Sequence, residues 1–332
     1  MASYLYVLSR PHSGSTILDI LLSHSPEVCG CGEIVTGFRK RHEDWRCSCG
    51  AELAACPFWS EVRRRVEEAG CDWEALADAH LRQSHKFRLP ATLWACRDPA
   101  RAAPFYRELA HSARLLCEAV AATAGRPIVL DSSKFPSRGL FLFRFLPDTR
   151  IIHIVRDPRN ILASYWWRMP LNDTYLTRRR PYRGPLRWLA AFEVGIMWLL
   201  GNLLFELIRA GDPRRSIRIR YEDLRDDPER VVRELGAFLG IEVAPVIAAV
   251  ARRAPLARGH LLGGSPIRIE ADARFDPARE LKRARPPAIL RGLVTALCWP
   301  LMLYYGYPLR APRPPRLAPS STSPAAGSAS EG

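Results

Sequence analysis

Tyr4-Leu5-Tyr6-Val7-Leu8-Ser9-Arg10-Pro11-His12-Ser13-Gly14-Ser15-Thr16-Ile17-Leu18 runs an apolar strand straight into a turn of small residues, and that turn opens an amphipathic helix. The first turn of a helix has backbone N–H groups without intrahelical partners and a partial positive charge, so it attracts phosphate. The amides and hydroxyls of Ser13, Gly14, Ser15 and Thr16 therefore make a cradle that can wrap a 5′-phosphate. A nucleoside-triphosphate loop reads G-x-x-x-x-G-K-[ST], with a Lys reaching the β- and γ-phosphates. Here Ser9 replaces the first Gly and Ser15 replaces the Lys. The cradle suits a nucleotide without a triphosphate.

Outward from this stretch, apolar β-branched runs recur at residues 127–130, 150–155 and 216–220, and each, like the first at 4–8, is followed by a helix signal. Strand-then-helix alternation predicts an α/β fold, a central parallel sheet flanked by helices and joined by right-handed crossovers. Asp157-Pro158 is a helix start, with Asp as N-cap and Pro at the first helical position, and Asp226 or Asp227 with Pro228 repeats it. Residues 32–126 lack strand periodicity. They read as a mostly helical insertion, with helices near 59–69, 73–82 and 104–124 and a cysteine-rich loop. One domain over 1–310 is expected, followed by a Pro-, Ser-, Ala- and Gly-rich tail, 311–332, whose composition predicts disorder.

A formal charge of +15 over 332 residues favours phosphorylated or polyanionic partners. The arginines are scattered through helices without basic–aromatic interleaving, which argues against nucleic acid and for small anionic ligands. The apolar stretch 194–208 is short for a membrane span and contains Glu206, so a buried helix is expected. Arg291, Gly292 and Pro300 interrupt a second, 289–305. Neither predicts a transmembrane span, and peripheral contact with lipid stays open. The first strand begins almost at residue 1 without a charged or apolar leader, so the expected location is cytoplasmic. Nine cysteines, an odd number, argue against a disulfide framework there. Cys31, Cys47, Cys49 and Cys56 crowd into one region where thiolates could meet around zinc; a redox pair and plain structural thiols are the other readings.

A second motif is Ile154-Val155-Arg156-Asp157-Pro158-Arg159-Asn160-Ile161-Leu162-Ala163-Ser164-Tyr165. A strand ends in Arg156, a permanently charged fork, and the next helix offers the Ser164 hydroxyl two turns on, so both can reach one phosphate. Taken alone, such an Arg serves equally in a surface ion pair. Lys134 ends another strand region in a chain with only four lysines, Lys40, Lys86, Lys134 and Lys282, which suggests that a compact ammonium is wanted there.

Together with the Ser-Gly-Ser-Thr turn, the second motif resembles the 3′-phosphate motif of sulfotransferases that use 3′-phosphoadenosine 5′-phosphosulfate. Val129-Leu130-Asp131-Ser132-Ser133-Lys134 and Arg220-Tyr221-Glu222-Asp223-Leu224 follow in the family's order, so the resemblance spans residues 4–310. Cys47-Ser48-Cys49-Gly50 with Cys56-Pro57-Phe58-Trp59 is similar to the insertion of a bacterial-type branch related to tyrosylprotein sulfotransferases. The resemblance implies a P-loop NTPase-like sulfotransferase fold and transfer of a sulfuryl group to a hydroxyl or amine of a small molecule, glycan or lipid. It implies Lys134 as the cation at the transferring group and Glu33, 21 positions after His12, as general base. His12 stands where many relatives have Arg or Lys; Arg10 could supply that charge while His12 donates a hydrogen bond or a proton. Tyr221 would approach the nucleotide, and residues 260–268, with Arg268, would close over it. Two alternatives remain: a nucleotide kinase or other P-loop transferase, and an inactive nucleotide-binding module stabilised by zinc. The stretch 166–188, rich in Trp and Arg, reads equally as a substrate lid or as ordinary packing. Acceptor and oligomeric state are not legible.

Overall fold

Strand β1 (Ser3–Ser9) leads into helix α1 (Ser15–Leu22), then β2 (Val28–Gly30) and α2 (Ile34–Arg39). The insertion adds α3 (Pro57–Glu68), α4 (Trp73–Ser84), α5 (Leu89–Ala95) and α6 (Pro104–Ala124). The chain then returns as β3 (Ile128–Asp131), α7 (Pro136–Phe145), β4 (Arg150–Val155), α8 (Pro158–Arg168), α9 (Arg187–Ala210), β5 (Ser216–Arg220), α10 (Tyr221–Asp226), α11 (Pro228–Leu239), α12 (Ala244–Ala251) and α13 (Ala288–Tyr304). This computed structural model describes residues 2–43, 45–168, 187–252, 255–257, 259–270, 274–275 and 286–310. The expected tail 311–332 and most of the stretch 166–188 lie outside the described residues.

All five strands pair in parallel, in the order β2-β3-β1-β4-β5. β1 is covered on both faces, which is why its sequence is a continuous apolar run. Its period of two sends Tyr4, Tyr6 and Leu8 into a core shared with the insertion helices, and Leu5 and Val7 into another built with α1 and α11. Asp227 caps α11 by accepting from the Arg230 backbone N–H at 3.2 Å, and Asp72 caps α4 by accepting from Ala75 at 2.7 Å.

The structure departs from the sequence reading in three elements. It has a fifth strand, β2, at the sheet edge; three residues are too few to display a period. The predicted helix at 194–208 extends to 24 residues in α9, and only one side is covered: Trp198, Asn202 and Phe205 are buried while Leu200, Leu203 and Leu207 are exposed. By length and composition α9 is the one helix among the described residues able to cross a membrane. Finally, α13 is continuous through Pro300. Both Pro300 and Ala296, whose carbonyl loses its helical partner, are exposed, so water can take the freed hydrogen bond.

Candidate functional site

The C-terminal ends of parallel strands form the rim where α/β proteins bind ligands, at the point where connections diverge to either side. Across this rim, in strand order, stand Glu33 just beyond β2, Lys134 beyond β3, the small-residue turn beyond β1, Arg156 beyond β4 and Tyr221 beyond β5. Residues dispersed over more than 200 positions of sequence thus form one row.

Gly14 begins α1 in a left-handed conformation, φ 90°, and a Cβ there would lie 2.1 Å from the Tyr221 ring, so only glycine admits the tyrosine over the turn. Ser13, Ser15 and Thr16 are buried, and Ser13 Oγ has no hydrogen-bond partner among the described residues. The Arg156 guanidinium, 4% exposed, lies 4.6 Å from the Tyr221 ring centroid and donates to the His12 carbonyl. Its own carbonyl accepts from Trp198 Nε1 at 2.8 Å. Ser164 is buried on α8. Glu222 anchors the start of α8 by accepting from the Asp157 backbone N–H and Asn160 Nδ2, and takes a third bond from the Tyr307 hydroxyl. Burial pushes the Glu222 carboxyl above its usual range despite the attraction of Arg156.

His12 has φ 66°, and its ring meets Tyr165 edge-on at 4.4 Å. The Arg10 carbonyl accepts from Ser13 N in the phosphate turn at 3.2 Å, and its side chain runs against α9, where a Cβ at Gly201 would lie 2.7 Å from Arg10 Cδ. Burial lowers the Arg10 pKa, with Tyr165 opposing. Tyr165, beside both groups, carried no sequence signal because an aromatic in a helix reads as core.

Lys134 Nζ donates to Glu33 Oε1, and both side chains are largely covered. Lys134 has φ 67°; it and His12 are the non-glycine residues with positive φ among those described. Such a conformation costs on the order of 1–3 kcal/mol and persists only where the surroundings dictate it. The surroundings are visible. Ser133 Oγ accepts from the Val35 backbone N–H at 3.1 Å, and Asp131 accepts from both N and Oγ of Ser133, so the turn bearing Lys134 is tied to the helix start bearing Glu33. Burial pushes the Glu33 carboxyl up, but the Lys134 ammonium, a 2.8 Å hydrogen bond from Thr36 Oγ1 and the charge of Arg268 outweigh it, so the group stays ionised below the usual carboxylate range.

Residues 259–268 close this row. Ser265 N donates to Thr16 Oγ1 at 3.0 Å, and Gly263 packs where a Cβ would meet Glu33 Cβ at 2.9 Å. Arg268, 6% exposed, donates to the Arg46 carbonyl at 2.7 Å over the Trp45 ring. Burial lowers the Arg268 pKa, opposed by Cys47 and Glu33. The expected thiol group needs one correction. Cys47, Cys49 and Cys56 converge, but the fourth neighbour is His260, and the four potential ligand atoms lie within 4.8 Å of one another. Cys31 stays apart because β2 ends beside it and its Sγ turns toward the Cys29 carbonyl at 3.8 Å. His260, more than 200 positions from the cysteines, could not be matched to them by spacing.

Comparison with known proteins fits this geometry. No curated protein matches the chain. Among solved structures, a sulfotransferase domain from the curacin biosynthetic pathway is 19% identical with a TM-score of 0.51, over 93% of this chain and 99% of that one. A sulfotransferase domain from the Synechococcus PCC 7002 olefin synthase is also 19% identical, with a TM-score of 0.50 over 93% and 96% of the two chains. At that identity the likeness establishes the α/β fold. The family model described as "Sulfotransferase family" matches residues 5–245, most of the described sheet and the whole row of rim residues, and this chain belongs to that family.

Proposed function

We propose that the protein transfers a sulfuryl group from 3′-phosphoadenosine 5′-phosphosulfate to a hydroxyl or amine of a small-molecule, glycan or lipid acceptor. The observation that supports this most is the row itself: phosphate turn, Arg156 and Tyr221 on one side, Lys134 with Glu33 on the other. The donor's parts fit it. A buried, unpartnered Ser13 hydroxyl and the α1 amides suit a 5′-phosphate, while the buried Arg156 fork suits a 3′-phosphate and the Tyr221 face a base or ribose.

In the reaction a bond forms between the acceptor oxygen or nitrogen and sulfur while the bond from sulfur to the bridging phosphate oxygen breaks. The acceptor proton goes to the Glu33 carboxylate, which is ionised and within reach of a group held at Lys134. The Lys134 ammonium neutralises the non-bridging sulfuryl oxygens, competing with Glu33 for that charge as the donor enters. The departing adenosine 3′,5′-bisphosphate is held by the turn amides, and His12 can donate to it.

The carboxylates beyond β3 and β4 argue against the kinase reading. Asp131, which ends β3, is bonded to Arg138 and Ser133, and Asp157, beyond β4, is clamped by Arg159. Neither is available to a phosphate-bound magnesium ion. Calorimetric titration with adenosine 3′,5′-bisphosphate, AMP and ATP with Mg²⁺ tests the proposal. The bisphosphate should bind best, and Arg156→Ala should remove its advantage over AMP, roughly 10-fold or more for a charge-assisted bidentate contact. Equal or tighter binding of ATP with Mg²⁺ would overturn it.

A further inference from the structure

We infer that Cys47, Cys49, Cys56 and His260 bind one zinc ion, and that this ion pins residues 259–268 over the rim. Distances support a tetrahedral site. Cys49 Sγ and Cys56 Sγ are 3.7 Å apart, Cys56 Sγ and His260 Nδ1 3.4 Å, and Cys47 Sγ and His260 Nδ1 3.8 Å. Zn–S bonds of about 2.3 Å and a Zn–N bond of about 2.0 Å set tetrahedral edges of about 3.8 Å between sulfurs and about 3.5 Å from sulfur to nitrogen. A disulfide between Cys49 and Cys56 would instead need a sulfur separation of about 2.05 Å. Three soft thiolates with one imidazole and no open position select zinc over magnesium, calcium or manganese.

The groups around the ligands hold them in this arrangement. Phe58 stacks on the His260 ring at 4.7 Å with the planes 5° apart, and Trp59 Nε1 donates to the His260 carbonyl at 2.9 Å. Both aromatics come from the same Cys-Pro-Phe-Trp stretch as one ligand. Ser48, between two ligands, accepts from Leu261 N and donates to the Gly259 carbonyl, so the cysteine loop grips the segment on each side of His260.

The position of this cluster defines its task. Cys56 and His260 are 204 positions apart, so a metal bridging them closes a very long loop. On the far side of the clamp, Ser265 meets Thr16, Gly263 meets Glu33, and Arg268 lies over Trp45. Zinc here is a structural ion that positions the rim's cover and touches no reacting group. It requires nothing of the donor's identity.

Metal analysis of the full chain purified under reducing conditions tests this, together with absorption spectra after exchange of zinc for cobalt. One equivalent of zinc per chain is expected, with intense visible bands and near-ultraviolet thiolate charge transfer from tetrahedral cobalt. Cys56→Ser and His260→Ala should each weaken zinc by more than the ~10–100-fold typical of an outer-ligand change, and should speed amide exchange in 259–268. Cys71→Ser, outside the cluster, should keep the full equivalent. Less than half an equivalent after reconstitution with excess zinc, or a weak octahedral cobalt spectrum, would overturn the site. So would unchanged zinc affinity in both ligand variants. Should those variants not fold, the cobalt spectrum of the unaltered chain decides alone.

Discussion

Glu33 and Lys134 neutralise each other across the rim, so each controls the other's chemistry. Lys134→Ala removes the main force holding the Glu33 carboxyl below its ordinary value near 4.5. Two effects follow: the rate of sulfuryl transfer should fall about 10²–10³-fold with loss of the positioned cation, and the acid limb of kcat/KM should move to higher pH as burial regains control of Glu33. Glu33→Gln should lower the rate about 10²–10⁴-fold without that limb. Binding of adenosine 3′,5′-bisphosphate, whose phosphates the proposed reading assigns to the α1 turn and Arg156, should change little in either variant. A Lys134→Ala enzyme whose acid limb does not move would remove Glu33 as the base. The sequence pointed to Lys134 through a strand end and a family motif, and to Glu33, which follows the unpredicted β2, through the resemblance alone; the structure pairs the two. His260 and Tyr165 were not legible, because a ligand or ring partner supplied by a distant segment has no spacing to read, and Cys31 drops out of the thiol group because its Sγ turns toward the Cys29 carbonyl.

At the level of elements, the turn that displays Lys134 depends on the buried tie between β3 and α7. Asp131 Oδ2 accepts from Arg138 Nε at 2.7 Å with both side chains fully buried, and Arg138 Nη1 reaches His80 Nδ1 on α4 at 2.6 Å. His80 is driven toward its neutral form by burial first and by the Arg138 charge second, so its Nδ1 serves as an acceptor. Replacing one partner of a buried pair strands the other charge. Arg138→Met should therefore cost about 3–5 kcal/mol in urea unfolding, and Asp131→Asn/Arg138→Met should recover part of the loss. A double variant no more stable than the single would show that the ion pair is not the reason for the cost. β4 and β5 match the predicted 150–155 and 216–220: the interior strand β4 is a nearly continuous apolar run, and the edge strand β5 alternates Ile217 and Ile219 with Arg218 and Arg220. Short elements escaped. β2, with three residues, and the helices α2 and α5, with two turns or fewer, are too short to display the period of their own element.

Across the whole molecule, the two sheet strands on the β5 side are joined to α9 and α13 by one charged cluster. Glu206 of α9 accepts from Arg218 of β5 at 3.0 Å and from Arg209 of its own helix at 3.4 Å, and lies 3.3 Å from His153 of β4. Arg218 in turn sits over the rings of Tyr304 and Tyr305 at the end of α13. Burial raises the Glu206 carboxyl, but His153 and Arg218 outweigh it and hold the group down at about 2. Its unfolded value is near 4.5, so folding favours the ionised form. The stabilisation is complete above pH 4.5, fades as the pH falls toward 2, and is absent below it. Glu206→Gln should cost on the order of 2 kcal/mol at neutral pH, after discounting for partial exposure to water. The difference between wild type and variant, measured by urea unfolding over a pH series, should shrink steadily from about pH 4.5 downward. A difference constant with pH would mean that Glu206 acts through shape and hydrogen bonding, with its charge contributing nothing.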